Sequence, residues 1–214
     1  MTLRLYYHPL SSFCWKVLIA LYEKGVAFEG QVVNFMDPED EAAFRKIWPI
    51  RKFPVLKDES DDRLVPESSI IIEYIDQKFP GGTRLIPSDA TQAREMRLRD
   101  RFFDLYVHVP MQKVVTDRLR PEGKHDPFGV GEARDLIGTA YRMIDREMAS
   151  RQWIMGDDFT MADCAAAPAL FYGAMAVPFG EHRHVAAYLE RLKQRPSFAR
   201  VIREAEPYFK LVPQ

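Results

Sequence analysis

The first 25 residues contain a strand, a turn and an apolar helix, and this arrangement constrains the fold more than any other feature. The strand is the β-rich run Leu3–Tyr7. Nearly every position from Phe13 to Tyr22 is apolar, which predicts a helix buried on most of its sides. Lys24 supplies a cation for the last helical turn, and Gly25 supplies a stop.

The turn ends in Ser11 and Ser12, at the predicted start of the helix. A helix N-terminus carries N–H groups without partners and a partial positive charge, and both favour an anion. Cys14 follows Ser11 by three residues, so the turn is similar to a Cys-x-x-Cys redox turn whose first cysteine has become serine. The alternative is a serine that only caps the helix.

The chain then continues to alternate strands and helices. Val26–Phe35 is a second β-rich run, so strand, helix and strand form a βαβ unit with parallel pairing. The charged segment 37–46 is compatible with a helix. Two short runs, Phe53–Leu56 and Arg63–Val65, flank a polar turn and predict a hairpin, and Ser69–Lys78 predicts a further helix. The order βαβαββα indicates an α/β domain of the thioredoxin-like type.

The second half of the chain has a helical pattern throughout. Helices are predicted over 91–119, 132–149, 160–171, 185–194 and 197–205, with a loop over 121–131. Pro110 is expected to kink or end the first of them locally. The alanine-rich segment 160–171 is expected to be the buried centre of a bundle. The predicted domains are therefore 1–80 (thioredoxin-like), a linker over 81–90, and an all-α domain over 91–214.

The charge balance and the cysteines limit the function classes. The 214 residues include 30 basic and 31 acidic side chains and have a net charge of −1, so nucleic acid is not an expected partner. Cys14 and Cys164 lie in apolar helical contexts, which predicts reduced, buried thiols in a cytoplasmic protein. No signal-like segment and no apolar run of about 18 residues is present, so no membrane span is expected. The five histidines lack metal-site spacing, so no metal is expected.

Four ordered motifs, which together cover essentially the whole chain, carry a resemblance to a known family. They are Ser11–Val17, Phe53–Leu56, Glu67–Ser68 with Ile71 to Ile75 after it, and Gly156 followed by Phe159–Asp163. They resemble, in that order, four features of the cytosolic glutathione transferases. These are the serine-based turn of the tau and zeta classes, the cis-proline strand, the start of the glutathione-binding helix, and the capping box of the sixth helix.

The resemblance implies a role for the first serine and for the proline strand. Ser11 matches the catalytic position, where a hydroxyl donates to the glutathione sulfur, and Ser12 is the fallback if the turn registers one residue later. Pro54 would follow a cis peptide bond. Val55 would then present its backbone to the cysteinyl part of glutathione, as an added edge strand does. A plain edge proline is the alternative.

Further binding residues follow from the same resemblance. Glu67 would accept from the amine of the γ-glutamyl end, and Ser68 with the helix amides would take its carboxylate, although both residues also suit simple helix capping. Lys52 would pair with the glycyl carboxylate. A second substrate would lie between the domains, and the candidate wall residues are Leu10, Phe13, Tyr106, His108, Met111 and Phe179. Thr160 and Asp163 are expected to form a structural capping box.

The predicted function is that of a glutathione transferase that activates the glutathione thiolate for attack on a small hydrophobic electrophile, in detoxification. Family members are two-fold dimers, which implies a homodimer through 91–119 and the last helix of the first domain. One alternative is a glutathione-dependent isomerase or lyase similar to maleylacetoacetate isomerase, although Phe13 stands where the zeta class has cysteine. Another is a binding or regulatory protein that keeps the fold without catalysis.

Overall fold

The computed structural model describes residues 2–211, and its first part alternates strands and helices in the order βαβαββα. This order confirms the predicted thioredoxin-like arrangement. The elements are β1 (Leu3–Tyr7), α1 (Ser12–Lys24), β2 (Glu29–Val32), α2 (Pro38–Ile47), β3 (Val55–Asp58), β4 (Arg63–Pro66) and α3 (Ser68–Lys78).

The four strands form one mixed sheet in the order β2-β1-β3-β4. β1 pairs with β2 in parallel, as a βαβ unit requires. β1 pairs with β3 antiparallel, and β3 pairs with β4 antiparallel as the predicted hairpin. β1 and β3 are therefore the two central strands, and β2 and β4 form the edges.

Helix α1 is buried on nearly every side, as its sequence predicts. Trp15, Val17 and Ile19 are fully buried on it. Its N-cap is Ser11, and its C-cap is Gly25 at φ 64°, a left-handed conformation that glycine adopts without steric cost. The helix packs against α3 on one side and against α7 and α9 of the second half on the other. α1 therefore lies at the junction of the two halves.

The second half is helical, which confirms the predicted all-α architecture. It contains α4 (Ala90–Phe102), a π-helical segment (Phe103–His108), α5 (Val109–Asp117), α6 (Pro127–Met148), α7 (Met161–Ala176), α8 (Arg183–Gln194), α9 (Pro196–Ala205) and a 3₁₀ segment (Glu206–Leu211). Residues 79–89 join α3 to α4 without helix or strand. The domain limits drawn at 80 and 91 stay a prediction. No helix within residues 2–211 combines the length and the apolar character needed to cross a bilayer.

Two predicted boundaries in this half are wrong. The loop expected over 121–131 ends early, because Pro127 occupies the first helical turn of α6 and Asp126 accepts a hydrogen bond from Gly129 N at 2.9 Å. The helix expected over 160–171 continues to Ala176 as α7. It is buried almost throughout, which confirms its predicted central position.

The predicted helix over 91–119 is interrupted in its hydrogen bonding rather than by a loop. Val109 N–H donates to Asp104 O, five residues earlier, at the end of the π-helical segment. Pro110, which has no N–H, follows in the first turn of α5. A π-helical turn holds one extra residue, so the residues before it are rotated by about 100° relative to those after it.

Candidate functional site

A cleft of about 710 Å³ lies between the sheet domain and the helical domain. The first domain lines it with the turn after β1 and with Phe53, and the second with one side of α5, the end of α7 and the 3₁₀ segment. The lining residues are His8, Leu10, Ser11, Ser12, Phe53, Met111, Gln112, Val115, Thr116, Arg118, Phe171, Tyr172, Met175, Ala176, Phe209 and Leu211.

Ser11 lies at the N-terminus of α1, where that helix meets the cleft. Its backbone N–H donates to His8 O at 3.0 Å. Its Oγ accepts from Cys14 N at 3.4 Å, so it caps the helix as an acceptor. The hydroxyl proton is not used in that contact and can be donated into the cleft. The residue is half-buried, so a ligand atom can reach it.

Ser12 is held differently from Ser11. It is 7 % exposed, and its Oγ lies 3.1 Å from Nε2 of His108 in the second domain. His108 is itself 2 % exposed, and its ring centroid lies 4.0 Å from that of Phe13. Burial, together with the cation of Lys16, lowers the pKa of His108 to about 3. The imidazole is therefore neutral at physiological pH, and the Ser12 hydroxyl is engaged in an interdomain contact.

Lys16, one helical turn after Ser12, links α1 to the second domain through ion pairs. Its Nζ lies 2.6 Å from Asp100 Oδ1, 3.0 Å from Asp104 Oδ2 and 2.8 Å from Ser69 Oγ. Burial alone would lower the pKa of Lys16, but the two carboxylates outweigh it and raise that pKa. The ammonium is therefore charged in the core, where a charge requires partners of this kind.

The peptide bond between Phe53 and Pro54 is cis, which confirms that prediction. The prediction that Val55 offers a free backbone edge is wrong, because β3 is a central strand. Val55 is in register with Tyr6 on one side and with Pro66 on the other. Phe53 precedes the strand, lines the cleft and stacks on His8 at 5.9 Å between ring centroids. The backbone available to a ligand in this stretch is therefore that of Phe53.

Glu67 and Ser68 form the junction of β4 and α3. Glu67 has φ 70° and ψ 121°, a conformation that costs a residue with a side chain on the order of 1–3 kcal/mol. Its side chain is exposed and makes no capping hydrogen bond to α3. Ser68 is the buried first residue of that helix. The carboxylate of Glu67 and the first N–H groups of α3 are thus left available, which simple helix capping would not do.

The predicted wall residues divide into two groups. Leu10 and Met111 line the cleft. Tyr106 is 44 % exposed outside it, Phe13 and His108 pack on each other, and Phe179 packs on Tyr141. These four do not line the cleft. Tyr106 and His108 lie within the π-helical segment, whereas Met111 lies in the regular α5 that follows it.

The sequence reasoning missed several residues of the cleft. Val115 and Arg118 continue the stripe that Met111 begins, at spacings of four and three, so helical periodicity could have found them. Tyr172 donates to Leu10 O at 3.0 Å across the domains, and no local pattern predicts that contact. Lys52 is exposed and is not among the cleft residues.

The two cysteines lie away from solvent. Burial raises the pKa of Cys14 to about 12 and also raises that of Cys164, and both thiols are buried. Both cysteines are therefore part of the core, as predicted. Within residues 2–211, no cluster of three or more His, Cys, Asp or Glu side chains could hold a metal ion.

The fold and the site define a class: a thioredoxin-like domain with a serine at the first helix N-terminus, joined to an all-helical domain across a cleft. Two family models match, described as "Glutathione S-transferase, N-terminal domain" over residues 5–83 and "Glutathione S-transferase, C-terminal domain" over residues 96–191. The chain belongs to the glutathione S-transferase family.

Individual relatives are distant and varied. A glutathione S-transferase from Methylobacillus flagellatus KT, solved with GSH bound, superposes with a TM-score of 0.85 at 26% identity and covers 93% of this chain and 98% of that one. A stringent starvation protein A homolog of Coxiella burnetii is 25% identical over 94% of this chain and 92% of its own length. A probable maleylacetoacetate isomerase of Caenorhabditis elegans is 28% identical over 78% of this chain and 77% of its own length.

Proposed function

We propose that this protein is a glutathione transferase in which Ser11 stabilises the glutathione thiolate for attack on a small hydrophobic electrophile. The observation that carries the proposal is the position of Ser11. Its hydroxyl lies at a helix N-terminus, lines the cleft, and keeps its proton for a ligand while its oxygen caps the helix.

The energies involved suffice to ionise the thiol. A thiol has a pKa of about 8.5 in water, so only a few per cent is thiolate at neutral pH. A helix N-terminus stabilises an anion by about 0.3–2 kcal/mol, and a hydrogen bond to a charged group contributes about 1.5–3 kcal/mol. At about 1.4 kcal/mol per pKa unit, the sum lowers the thiol pKa by about two units.

Glutathione would lie along the first domain. The backbone of Phe53 would pair with the cysteinyl part, in place of the paired Val55. Glu67 would accept from the γ-glutamyl amine, and Ser68 with the first amides of α3 would take the carboxylate. The conformation of Glu67 and the absence of a capping bond from its side chain support this assignment. Lys52 would attract the glycyl carboxylate from solvent.

The electrophile would occupy the rest of the cleft. Its wall is largely apolar and aromatic, with Met111, Val115, Phe171 and Phe209, as a binding site for a small hydrophobic molecule requires. A compound of this kind fits a role in detoxification. The two buried, reduced thiols are consistent with a cytoplasmic location.

We further propose a homodimer through α3 and the segment 91–119, which comprises α4, the π-helical segment and α5. Ile70 on α3, Leu98 on α4, Leu105 on the π-helical segment and Val109 at the start of α5 are each at least 41 % exposed. Exposed apolar side chains grouped on neighbouring helices are typical of a protein–protein interface.

Two other functions are compatible with the fold. A glutathione-dependent isomerase or lyase would use the same thiolate without consuming glutathione in the net reaction, and similarity to a probable maleylacetoacetate isomerase favours it. A non-catalytic protein would keep the fold alone, and similarity to a stringent starvation protein A homolog favours that. The retained hydroxyl of Ser11 in the cleft supports the enzymatic functions over the second alternative.

The test compares Ser11→Ala with Ser12→Ala. Glutathione binding is measured by calorimetry, and the pKa of the bound thiol is measured by ultraviolet titration. Activity is measured as the rate of glutathione conjugation to chlorodinitrobenzene. Ser11→Ala is expected to raise the pKa of the bound thiol by about one to two units, because one hydrogen bond to the thiolate is lost. In Ser12→Ala the pKa of the bound thiol is expected to stay below the value in Ser11→Ala. A larger effect of Ser12→Ala would move the role to the fallback serine. Glutathione binding without conjugation would favour the isomerase or lyase. Absence of glutathione binding would favour the non-catalytic function.

A further inference from the structure

The cleft contains a single charged side chain at neutral pH among the lining residues of the described chain, and it is Arg118. None of the lining residues within 2–211 is acidic. His8 also lines it, but burial lowers the pKa of His8, so its imidazole is neutral. The polar environment that an electrophile would meet is therefore positive.

The arginine is available to a ligand. Arg118 is exposed and caps the end of α5, where its backbone N–H donates to Val115 O at 3.2 Å. Two neighbouring cations have carboxylate partners, since Arg120 pairs with Asp117 at 3.4 Å and Lys113 pairs with Asp126. Arg118 forms no ion pair with a carboxylate of residues 2–211.

The position of Arg118 along α5 matches the shape of a particular kind of molecule. Met111, Val115 and Arg118 follow one another on one side of the helix, so the wall changes from apolar to cationic over two turns. Gln112 and Thr116 lie beside them in the lining. An apolar or aromatic body with a carboxylate at one end would satisfy both parts of this stripe, because a guanidinium binds a carboxylate through two parallel hydrogen bonds.

We propose that the cleft selects hydrophobic electrophiles that carry a carboxylate, and that Arg118 binds this carboxylate. The proposal rests on the proposed function, because it assigns the second substrate of that reaction. The carboxylates of glutathione are a second source of the same chemistry. They are assigned to Ser68 and Lys52 of the first domain, which are not cleft residues, whereas Arg118 belongs to the helical domain.

A cation at the end of a helix is also favoured by the helix dipole alone. Arg120 provides the matched control for this effect. It is exposed, lies two residues further on at the same helix end, and is not a cleft residue. Arg118→Gln and Arg120→Gln are therefore compared.

The first readout is kcat/KM for chlorodinitrobenzene and for chlorodinitrobenzoate, at saturating glutathione. In Arg118→Gln, the ratio of the carboxylated to the neutral substrate is expected to fall by about 10–100-fold, the value of a charge-assisted hydrogen bond. In Arg120→Gln the ratio stays at the wild-type value. An equal fall for both substrates, or an unaltered ratio in Arg118→Gln, would overturn the proposal. A rise in KM for glutathione in place of the change in ratio would also overturn it.

The second readout does not depend on turnover. Binding of the unreactive dinitrobenzoate and dinitrobenzene is measured by calorimetry on the same three proteins. Preferential binding of dinitrobenzoate that is lost in Arg118→Gln alone supports the carboxylate site, even if the wild type conjugates neither electrophile and the proposed transferase function fails. Equal binding of the two compounds to the wild type would reject the site.

Discussion

Asp163 is a fully buried carboxylate that accepts from several parts of the helical domain at once. It accepts from Thr160 N at 2.8 Å, which closes the capping box of α7, and from Ile154 N at 3.0 Å. Tyr188 OH also donates to it, at 2.6 Å. The sequence predicts only the first of these contacts, and with it a loss of about 0.5–2 kcal/mol on truncation.

The structure raises that estimate. Asp163→Ala removes the acceptor for two backbone N–H groups, the Thr160 hydroxyl and the Tyr188 phenol in a fully buried setting. Each buried donor left without a partner costs about 1–3 kcal/mol, and a water can partly fill the space of the lost carboxylate. We therefore expect the free energy of unfolding to fall by about 3–5 kcal/mol. That loss is a large share of a typical domain stability of about 5–15 kcal/mol.

The assay is urea unfolding followed by fluorescence, with Asp89→Ala as the control. Asp89 caps α4 by accepting from Gln92 N at 2.8 Å, but it is exposed, so its truncation is expected to cost only the ordinary value of a cap, about 0.5–2 kcal/mol. Asp163→Asn keeps one acceptor oxygen, so its loss in free energy of unfolding should lie between the losses of Asp163→Ala and Asp89→Ala. This variant preserves the test if Asp163→Ala does not fold. Equal losses for Asp163→Ala and Asp89→Ala would refute the reasoning. Normal stability with lost glutathione conjugation would refute the structural role of Asp163.

Two further predictions concern pH and assembly. The folded pKa of His108, about 3, lies below its unfolded value of 6.5, so its contribution to stability is present above the unfolded value and is lost as pH falls. Between pH 7 and pH 5 this loss is about 2 kcal/mol. The free energy of unfolding of His108→Gln, measured in urea, should therefore change less between these two pH values than that of the wild type, by about the same amount. An identical change in both proteins would contradict the prediction. Leu98→Glu, at a side chain 53 % exposed on α4, should halve the mass measured by light scattering, whereas Leu136→Glu, 41 % exposed on α6, should not. A wild type with the mass of one chain would disprove the dimer.

Local patterns were sufficient to predict the order of the elements and the character of individual helices. The apolar run after Ser11 predicts a helix that is buried all round, and α1 has that burial. The alanine-rich run after Thr160 predicts the central helix α7, and the spacing of Thr160 and Asp163 predicts its capping box, which the structure contains. Each of these inferences depends on contacts within a few residues of one another, where sequence spacing determines geometry.

The candidate site depends on contacts that local patterns do not encode. The resemblance implies a free backbone edge at Val55, and only the pairing of β3 with both β1 and β4 excludes that edge. The resemblance places Tyr106 and His108 in the cleft wall, but both belong to the π-helical segment and neither lines the cleft. The importance of Arg118 depends on which neighbouring cations have carboxylate partners. The partner of Lys113 is Asp126, thirteen residues further on and beyond the spacings of a single helix face.

The polar residues of α1 connect the local sequence pattern with the contacts between the two domains. Ser12, Lys16 and Glu23 lie at spacings of four and seven on α1, so they share one side. Each contacts the helical domain: Ser12 contacts His108, Lys16 contacts Asp100 and Asp104, and Glu23 accepts from Arg195 at 2.7 Å. Lys24, the other charged residue of this helix, pairs with Asp76 of the first domain.

Apolar packing alone is not directional, so it would allow α1 to rotate or slide relative to the second domain at low cost. Buried charges and hydrogen bonds accept few arrangements, because each misplaced partner leaves a buried polar group unsatisfied. The polar side of α1 therefore determines where its N-terminus lies. Ser11 is adjacent to Ser12, so its position relative to Met111 and Arg118 across the cleft follows from contacts that are not themselves part of the site.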